Sequence, residues 1–262
     1  MSAQIPDRKV PVERMPVVDS TNRLAKEAVE SGRLKGPRFF VADRQTGAYG
    51  RFGRAWHSPE GGLWATLAWP VVNAQAGPVI DGLGLRIGVA VLGAVSAALA
   101  RAGASPATVQ LKWPNDVLIA GKKTAGVLCE ATSTRQTTWL IIGIGVNVNN
   151  EAAELPAPLR MPATSLRAQA AQPINLEEFF DDLALRIINA IEPESFTLEL
   201  VADAASRLYG QGKRVTLRLP DGAEKEGRLE GLSPDGRLMV LTDQGRFIAP
   251  HGTEMSLAPH PA

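Results

Sequence analysis

The sequence predicts an α+β protein: a mixed sheet packed with helices, followed by a small β-barrel. Three observations carry this. Apolar residues recur at helical spacing in segments interrupted by short β-like runs, the runs between residues 109 and 148 follow one another at turn distance, and the texture beyond Gly210 changes to short alternating strands.

In chain order, Asp19-Ser20-Thr21-Asn22 supplies N-caps for a helix whose Leu24, Ala25, Ala28 and Val29 form one apolar face, with Gly32 as its stop. Arg38 to Asp43 reads as a strand, Gln45 to Trp56 as a glycine-rich loop and Leu63 to Trp69 as a second strand. A second helix covers about Ile80 to Ala102. Strands are expected at Val109 to Trp113, Val117 to Ile119, Thr124 to Ala131 and Thr138 to Val148, the last two separated by the polar turn Thr132 to Gln136. Asn175 with Glu178 has the form of a capping box, and Leu176, Phe180, Leu183, Ile187 and Ile191 follow at helical spacing. A further helix covers about Ser195 to Tyr209. In the tail, Pro220-Asp221-Gly222, Pro234-Asp235-Gly236 and Asp243-Gln244-Gly245 are turn signatures. The backbone freedom of Gly210-Gln211-Gly212 marks the boundary between a domain of residues 1–210 and one of residues 211–262.

Composition narrows the function class. With 45% hydrophobic and 21% charged residues, the chain reads as an ordinary globular protein. Its 28 basic and 27 acidic residues leave a formal charge of +1, which gives no reason to expect DNA or another polyanion as partner. The apolar stretch Ile87 to Ala100 falls short of the roughly 20 residues of a membrane span and reads as a buried helix. The N-terminus lacks the apolar core of a secretory signal, so a cytoplasmic protein with no membrane partner is expected. Cys129 stands alone, and His57, His251 and His260 show no metal-ligand spacing with it. Structural zinc is therefore not expected, and Cys129 reads as core rather than nucleophile.

Three segments can carry chemistry. Gln45-Thr46-Gly47-Ala48-Tyr49-Gly50-Arg51-Phe52-Gly53-Arg54-Ala55-Trp56 interleaves three glycines with two arginines, which suits an anion cradle, though it is equally compatible with a solvated surface loop. Its spacing is not that of a P-loop. Lys112-Trp113-Pro114-Asn115-Asp116 puts a cation at the end of an apolar strand, where proline forces the chain out of the ladder, though taken alone it fits better a snorkelling surface lysine beside a Pro-Asn-Asp turn. Ile142-Gly143-Ile144-Gly145-Val146-Asn147-Val148-Asn149 is an apolar strand whose glycines admit a flat ligand and whose asparagines can read an amide or a base edge, though taken alone it equally fits a bulged core strand.

Together, and in this order, these segments resemble those of biotin protein ligases over nearly the whole chain. The matching pieces are S-T-N at Ser20 to Asn22, the Gln45 to Trp56 loop, K-W-P-N-D at Lys112 to Asp116, Lys123-Thr124-Ala125-Gly126-Val127, G-x-G-x-N at Gly143 to Asn147 and A-T-S-L at Ala163 to Leu166. The resemblance implies a biotin/lipoate ligase-like catalytic domain with an SH3-like C-terminal domain. With S-T-N beginning at Ser20, it is to the ligase-only type without an N-terminal DNA-binding domain.

The implied activity uses ATP and biotin, with Mg²⁺ expected, to make biotinyl-5′-AMP and pass the biotinyl group to a lysine of a biotin carboxyl carrier protein domain. Lys112 and Arg51 are then the catalytic cations. Ser20, Thr21, Asn22, Gln45, Tyr49, Gly50, Arg51, Lys112, Gly126 and Gly145 would hold biotin. Arg51, Arg54, Trp56, Lys112 and Asn147 would hold ATP and the adenylate. No metal ligand is assigned, and the family includes both monomers and homodimers. One departure stands out: Tyr49 occupies the place where the loop's first arginine is usual, and Ala48 replaces a glycine. Lipoate ligase chemistry is the nearest rival. A non-catalytic biotin sensor is opposed by the retention of Lys112 and Arg51, and an RNA-binding loop by the balanced charge.

Overall fold

A computed structural model describes residues 10–73, 76–80, 82–134, 137–151, 154, 161–192 and 196–258. The first nine residues, positions 81, 135 and 136, Ser195 and His260, on which sequence expectations also fell, lie outside the described residues.

The larger sheet has seven strands: β1 (Val12–Val18), β2 (Arg38–Gln45), β3 (Leu63–Val72), β4 (Val109–Lys112), β5 (Asp116–Ile119), β6 (Lys122–Ser133) and β7 (Thr137–Val146). Their order is β1-β2-β3-β7-β6-β5-β4. Among the described residues of this sheet only the β1–β2 strand pair is parallel, so the sheet is mixed as expected. Strand β1 was not anticipated, because prolines at 11 and 16 disguise it. Its edge position explains their tolerance, since an edge strand has a side on which no ladder bond is needed.

Alternation along β2 divides the core into two layers. Phe39 and Val41 face a large apolar cluster, whereas Phe40 faces a smaller one formed with α1 (Thr21–Glu30) through Ala25, Ala28 and Val29. The first helix therefore covers one face of the sheet. The other face carries α3 (Leu83–Arg101), which follows the short α2 (Ala76–Ile80), and α5 (Leu176–Ile191), beyond the short α4 (Leu166–Ala170). Asn175 caps α5 by accepting the N–H groups of Glu177 and Glu178, and Phe180 of that helix meets Phe39 edge-on at 5.4 Å between centroids. By length and composition α3 could cross a membrane. Here Ile87, Val91, Ala94, Val95 and Ala98 are instead buried in the core, each large apolar side chain contributing roughly 1.5–3 kcal/mol.

After α6 (Leu198–Ser206), shorter than expected, the chain runs beside β4: Leu111 and Tyr209 exchange backbone hydrogen bonds with Arg207 and Leu111. A second, antiparallel sheet follows, made of β8 (Arg214–Arg218), β9 (Glu224–Leu232), β10 (Leu238–Thr242), β11 (Gly245–Ile248) and β12 (Glu254–Leu257) in the order β11-β10-β9-β8-β12. Its Val215, Leu217, Leu229 and Val240 join the large apolar cluster, so the two sheets share one continuous core.

Candidate active site

The site begins at the start of α1. Ser20 adopts extended backbone and its hydroxyl accepts the Arg23 N–H, so the helix opens with Thr21 and Asn22, both of which line the site's cavity. Thr21 donates to Gln45 Oε1 from both its N–H (2.8 Å) and its hydroxyl (3.1 Å), and Gln45 Nε2 donates to Ser58 Oγ (2.9 Å). These bonds fix the Gln45 amide.

Next, the glycine-rich loop is not a simple coil. Trp56 N–H donates to the Ala48 carbonyl (2.9 Å) and Gly50 N–H to the Arg54 carbonyl (2.7 Å), making a small hairpin with Arg51–Gly53 at its tip. Phe52 turns that tip at φ 60, a left-handed conformation that costs a non-glycine residue about 1–2 kcal/mol. Both arginines reach the second sheet's domain. Arg51 Nη2 donates to the carbonyls of Gly252 (3.0 Å) and Thr253 (3.3 Å), and Arg54 forms an ion pair with Glu254.

Trp56, at the hairpin's foot, lies over Gly126 and Gly145, which face each other across β6 and β7. A Cβ on Gly145 would come within 2.5 Å of Trp56 Nε1, and one on Gly126 within 3.0 Å of its ring. The flat group these glycines admit is therefore an indole of the chain itself. Its buried Nε1–H has no acceptor among the described residues.

On the far side, β4 and β5 bring Lys112 directly opposite Asp116. The intervening turn is tied on two sides, by Trp113 Nε1 donating to the Gly236 carbonyl (2.9 Å) and Val127 N–H donating to the Asn115 carbonyl (2.9 Å). Asp116 lies between two lysines, 2.7 Å from Lys123 Nζ and 3.9 Å from Lys112 Nζ. Burial lowers the Lys112 pKa, opposed by Asp116 and reinforced by Lys123. Burial also lowers that of Arg51, whose guanidinium still remains charged at any working pH. Lys123 Nζ additionally stands 4.9 Å from the centre of the Trp56 ring. Pro162 and the A-T-S-L segment that follows it hold the Lys123 backbone: Lys123 N–H donates to the Pro162 carbonyl and Thr164 N–H to that of Lys123.

The S-T-N segment, Gln45, both loop arginines, Trp56, Lys112, Asp116 and Lys123 surround one cavity of about 700 Å³. Every sequence-predicted site residue lines it: Ser20, Thr21, Asn22, Gln45, Tyr49, Gly50, Arg51, Arg54, Trp56, Lys112, Gly126, Gly145 and Asn147. Asn147 Oδ1 accepts from Asn150 Nδ2 (3.1 Å). Sequence reasoning gave no role to Lys123 and Asp116, although both lie in quoted motifs, nor to Arg218, Glu224 and Glu254 of the small domain, which also line the cavity. The last three carry no local sequence signal, because only the fold brings them to the loop. Among the described residues no group of three or more His, Cys, Asp or Glu could hold a metal ion. Cys129 is free and packs, half-buried, against the large apolar cluster, where desolvation pushes its thiol up to about 12.

Residues 15–147 match the family model described as "Biotin/lipoate A/B protein ligase family", and residues 211–257 match "Biotin protein ligase C terminal domain". The bifunctional ligase/repressor BirA of Bacillus spizizenii is 39% identical over 162 residues, covering 61% of this chain and 47% of that protein. The biotin–[acetyl-CoA-carboxylase] ligase of Paracoccus denitrificans is 32% identical over 168 residues, covering 63% of this chain and 67% of that one. Thus the chain spans about half the length of the bifunctional relatives it matches. Among solved structures, the biotin protein ligase from Aquifex aeolicus in complex with biotin and ATP superposes with a TM-score of 0.79 at 28% identity, covering 95% of this chain and 99% of that one. Since the first match alone takes in just over half of the chain, including the S-T-N segment, the loop and both lysines, the chain belongs to the biotin/lipoate A/B protein ligase family.

Proposed function

We propose that the protein is an ATP-dependent ligase that converts biotin and ATP into biotinyl-5′-AMP and pyrophosphate, then transfers the biotinyl group to a lysine of a biotin carboxyl carrier domain of acetyl-CoA carboxylase or a related carboxylase. The observation that carries this reading is the convergence of Lys112, Lys123 and Arg51 on one cavity that the Ser20-Thr21-Asn22 and Gln45 hydrogen-bonding set also lines. In the first step a biotin carboxylate oxygen bonds to the α-phosphorus of ATP as the bond to pyrophosphate breaks. Two anions must meet, and fixed cations lower that barrier by positioning and by offsetting charge. Lys112 and Arg51 have this role, and Lys123 joins them on geometry. In the second step the neutral amine of the carrier lysine attacks the acyl carbon and AMP leaves.

Ser20, Thr21, Asn22 and Gln45 take the polar edge of the biotin ring, with Tyr49 and Gly50 around it, while Gly126 and Gly145 bound the pocket through the Trp56 indole they seat. Trp56 offers an aromatic face to adenine, Asn147 keeps its amide nitrogen for the base edge, and Arg54 stands on the nucleotide side. The hairpin covers the adenylate and excludes water. For Mg²⁺, the carboxylates on the cavity are Asp116, Glu224 and Glu254, and the first and last already pair with cations. That fits an ion that takes most of its ligands from phosphate oxygens and water rather than from a protein cage. The ion's contribution would be to offset charge on the departing pyrophosphate.

The reading places the enzyme in the cytoplasm, as a monomer or homodimer with no DNA or membrane partner, consistent with its balanced charge and the burial of α3. It assigns catalysis to residues 1–210 and a supporting wall of the site to residues 211–262. Incubation with ATP, Mg²⁺ and an apo carrier domain tests it: biotin, and not lipoate, is expected to drive both pyrophosphate release and acylation of the carrier. Pyrophosphate release without acylation would limit the protein to the first step, and tight biotin binding with no release would make it a sensor.

A further inference from the structure

Asn22 owes the orientation of its amide to a residue outside the cavity. Glu130, on β6 opposite Ile141 of β7, accepts from Asn22 Nδ2 at 3.0 Å and from Tyr49 Oη at 3.2 Å through Oε2, and from Lys26 Nζ at 2.6 Å through Oε1. On the other side of the amide, Asn22 Oδ1 lies 2.6 Å from the buried Thr66 hydroxyl, which donates to it. A hydroxyl can donate or accept, so Thr66 would tolerate either orientation of the amide. An ionised carboxylate only accepts, so Glu130 demands the NH₂ end. The Gly143 backbone closes the remaining space, since a Cβ there would collide with Asn22 Oδ1.

Lys26 pairs with that carboxylate at 2.6 Å. Its own burial would lower its pKa, but the hydrogen bonds and charges of Glu130 and Tyr49 prevail and the pKa is raised. The Tyr49 ring lies beneath Lys26 Nζ at 5.7 Å and the Arg23 guanidinium at 5.4 Å. The hairpin and the S-T-N segment are thus anchored to one carboxylate.

Resting on the proposed biotin reading, we infer that Glu130 is a positioning residue for biotin recognition: it sets which end of the Asn22 amide is donor and which is acceptor, and so the pattern shown to the ring. The same carboxylate holds the hairpin through Tyr49, whose uncharged phenol stands where the loop's first arginine is usual.

A double-mutant cycle tests this, with Glu130→Leu, Asn22→Ala and the pair measured by calorimetric titration with biotin and by KM for biotin and for ATP. Losing a charge-assisted hydrogen bond predicts that Glu130→Leu weakens biotin binding by about tenfold or more while KM for ATP changes less than about twofold. Glu130→Gln is expected to recover most of the loss, because its amide oxygen still accepts from Asn22. In the Asn22→Ala background, Glu130→Leu should add less than about twofold, since coupled residues are not additive. Additive losses, or equal losses for biotin and ATP, would overturn the role. If Glu130→Leu does not fold, as thermal unfolding would reveal, Glu130→Val runs the same cycle. Wild-type protein that binds no biotin would overturn the underlying reading, whereas wild-type binding with an additive cycle would overturn only the part given to Glu130.

Discussion

Gly145 lies beneath the indole of Trp56, so close that a Cβ on the glycine would come within 2.5 Å of Nε1. The position of the indole therefore depends on a missing side chain in the neighbouring strand. Gly145→Ala is expected to push Trp56 off its floor, at an overpacking cost of about 1–3 kcal/mol, and to raise KM for ATP by roughly tenfold. Steady-state kinetics with ATP varied, together with the ligand-induced change in tryptophan fluorescence, checks this; an unchanged KM for ATP would separate Trp56 from the nucleotide.

Lys112 has its pKa lowered, chiefly by burial. A lysine that must be cationic then loses its charge at lower pH than a free one, whose pKa is about 10.4. The alkaline limb of kcat/KM for adenylation is accordingly expected to fall below that value, because kcat/KM reports the free enzyme. Lys112→Arg, with a guanidinium that stays charged, should move the limb upward, and Lys112→Ala should abolish adenylation while leaving thermal unfolding close to wild type. For stability the sign is the reverse of the usual salt-bridged case. The folded state binds fewer protons than the unfolded one between the lowered pKa and the ordinary value, so this residue's cost is present at low pH and fades as pH rises through that window.

Arg51 bridges the hairpin tip to the Gly252 and Thr253 carbonyls. Arg51→Gly removes both the bridge and a cation on the cavity. The lifetime of enzyme-bound biotinyl-5′-AMP is expected to fall by roughly tenfold or more, the scale of a charge-assisted hydrogen bond. A filter-retention or stopped-flow release assay measures it, and an unchanged release rate would remove the hairpin's role as a lid.

Cys129 has its thiol pushed up to about 12 by burial. At pH 8 the thiolate is then a trace species, so iodoacetamide should label the folded protein slowly and leave adenylation intact. Rapid labelling that follows ordinary thiol kinetics would show that the cysteine is exposed.

Much of the site was legible because its residues cluster in short segments whose types announce their chemistry: S-T-N at a helix start, arginines among glycines, and a lysine before a proline. What was hidden depends on pairing across the sheet or between domains. Lys123 and Asp116 meet only because β5 and β6 are adjacent, Glu130 reaches Asn22 and Tyr49 across a sequence separation that no local pattern encodes, and Glu254 meets Arg54 from the second domain. Glu130 did leave one trace, a lone carboxylate beyond the apolar run Val127-Leu128-Cys129. In the fold, β1 escaped because proline at an edge is harmless whereas proline in a sequence reads as a break. Trp56 was assigned to adenine and the glycines to biotin, but their direct contact, which couples the two halves of the cavity, follows only from the β6–β7 register.

The most direct test of the central claim is single-turnover incubation of the purified protein with ATP, Mg²⁺ and biotin in the absence of any carrier. The account predicts about one equivalent each of pyrophosphate and protein-bound biotinyl-5′-AMP per active site, absent with lipoate and absent in Lys112→Ala, because the fixed cations are what allow the two anions to meet. Pyrophosphate formed equally well without biotin, or an adenylate made at wild-type rate by Lys112→Ala, would contradict it.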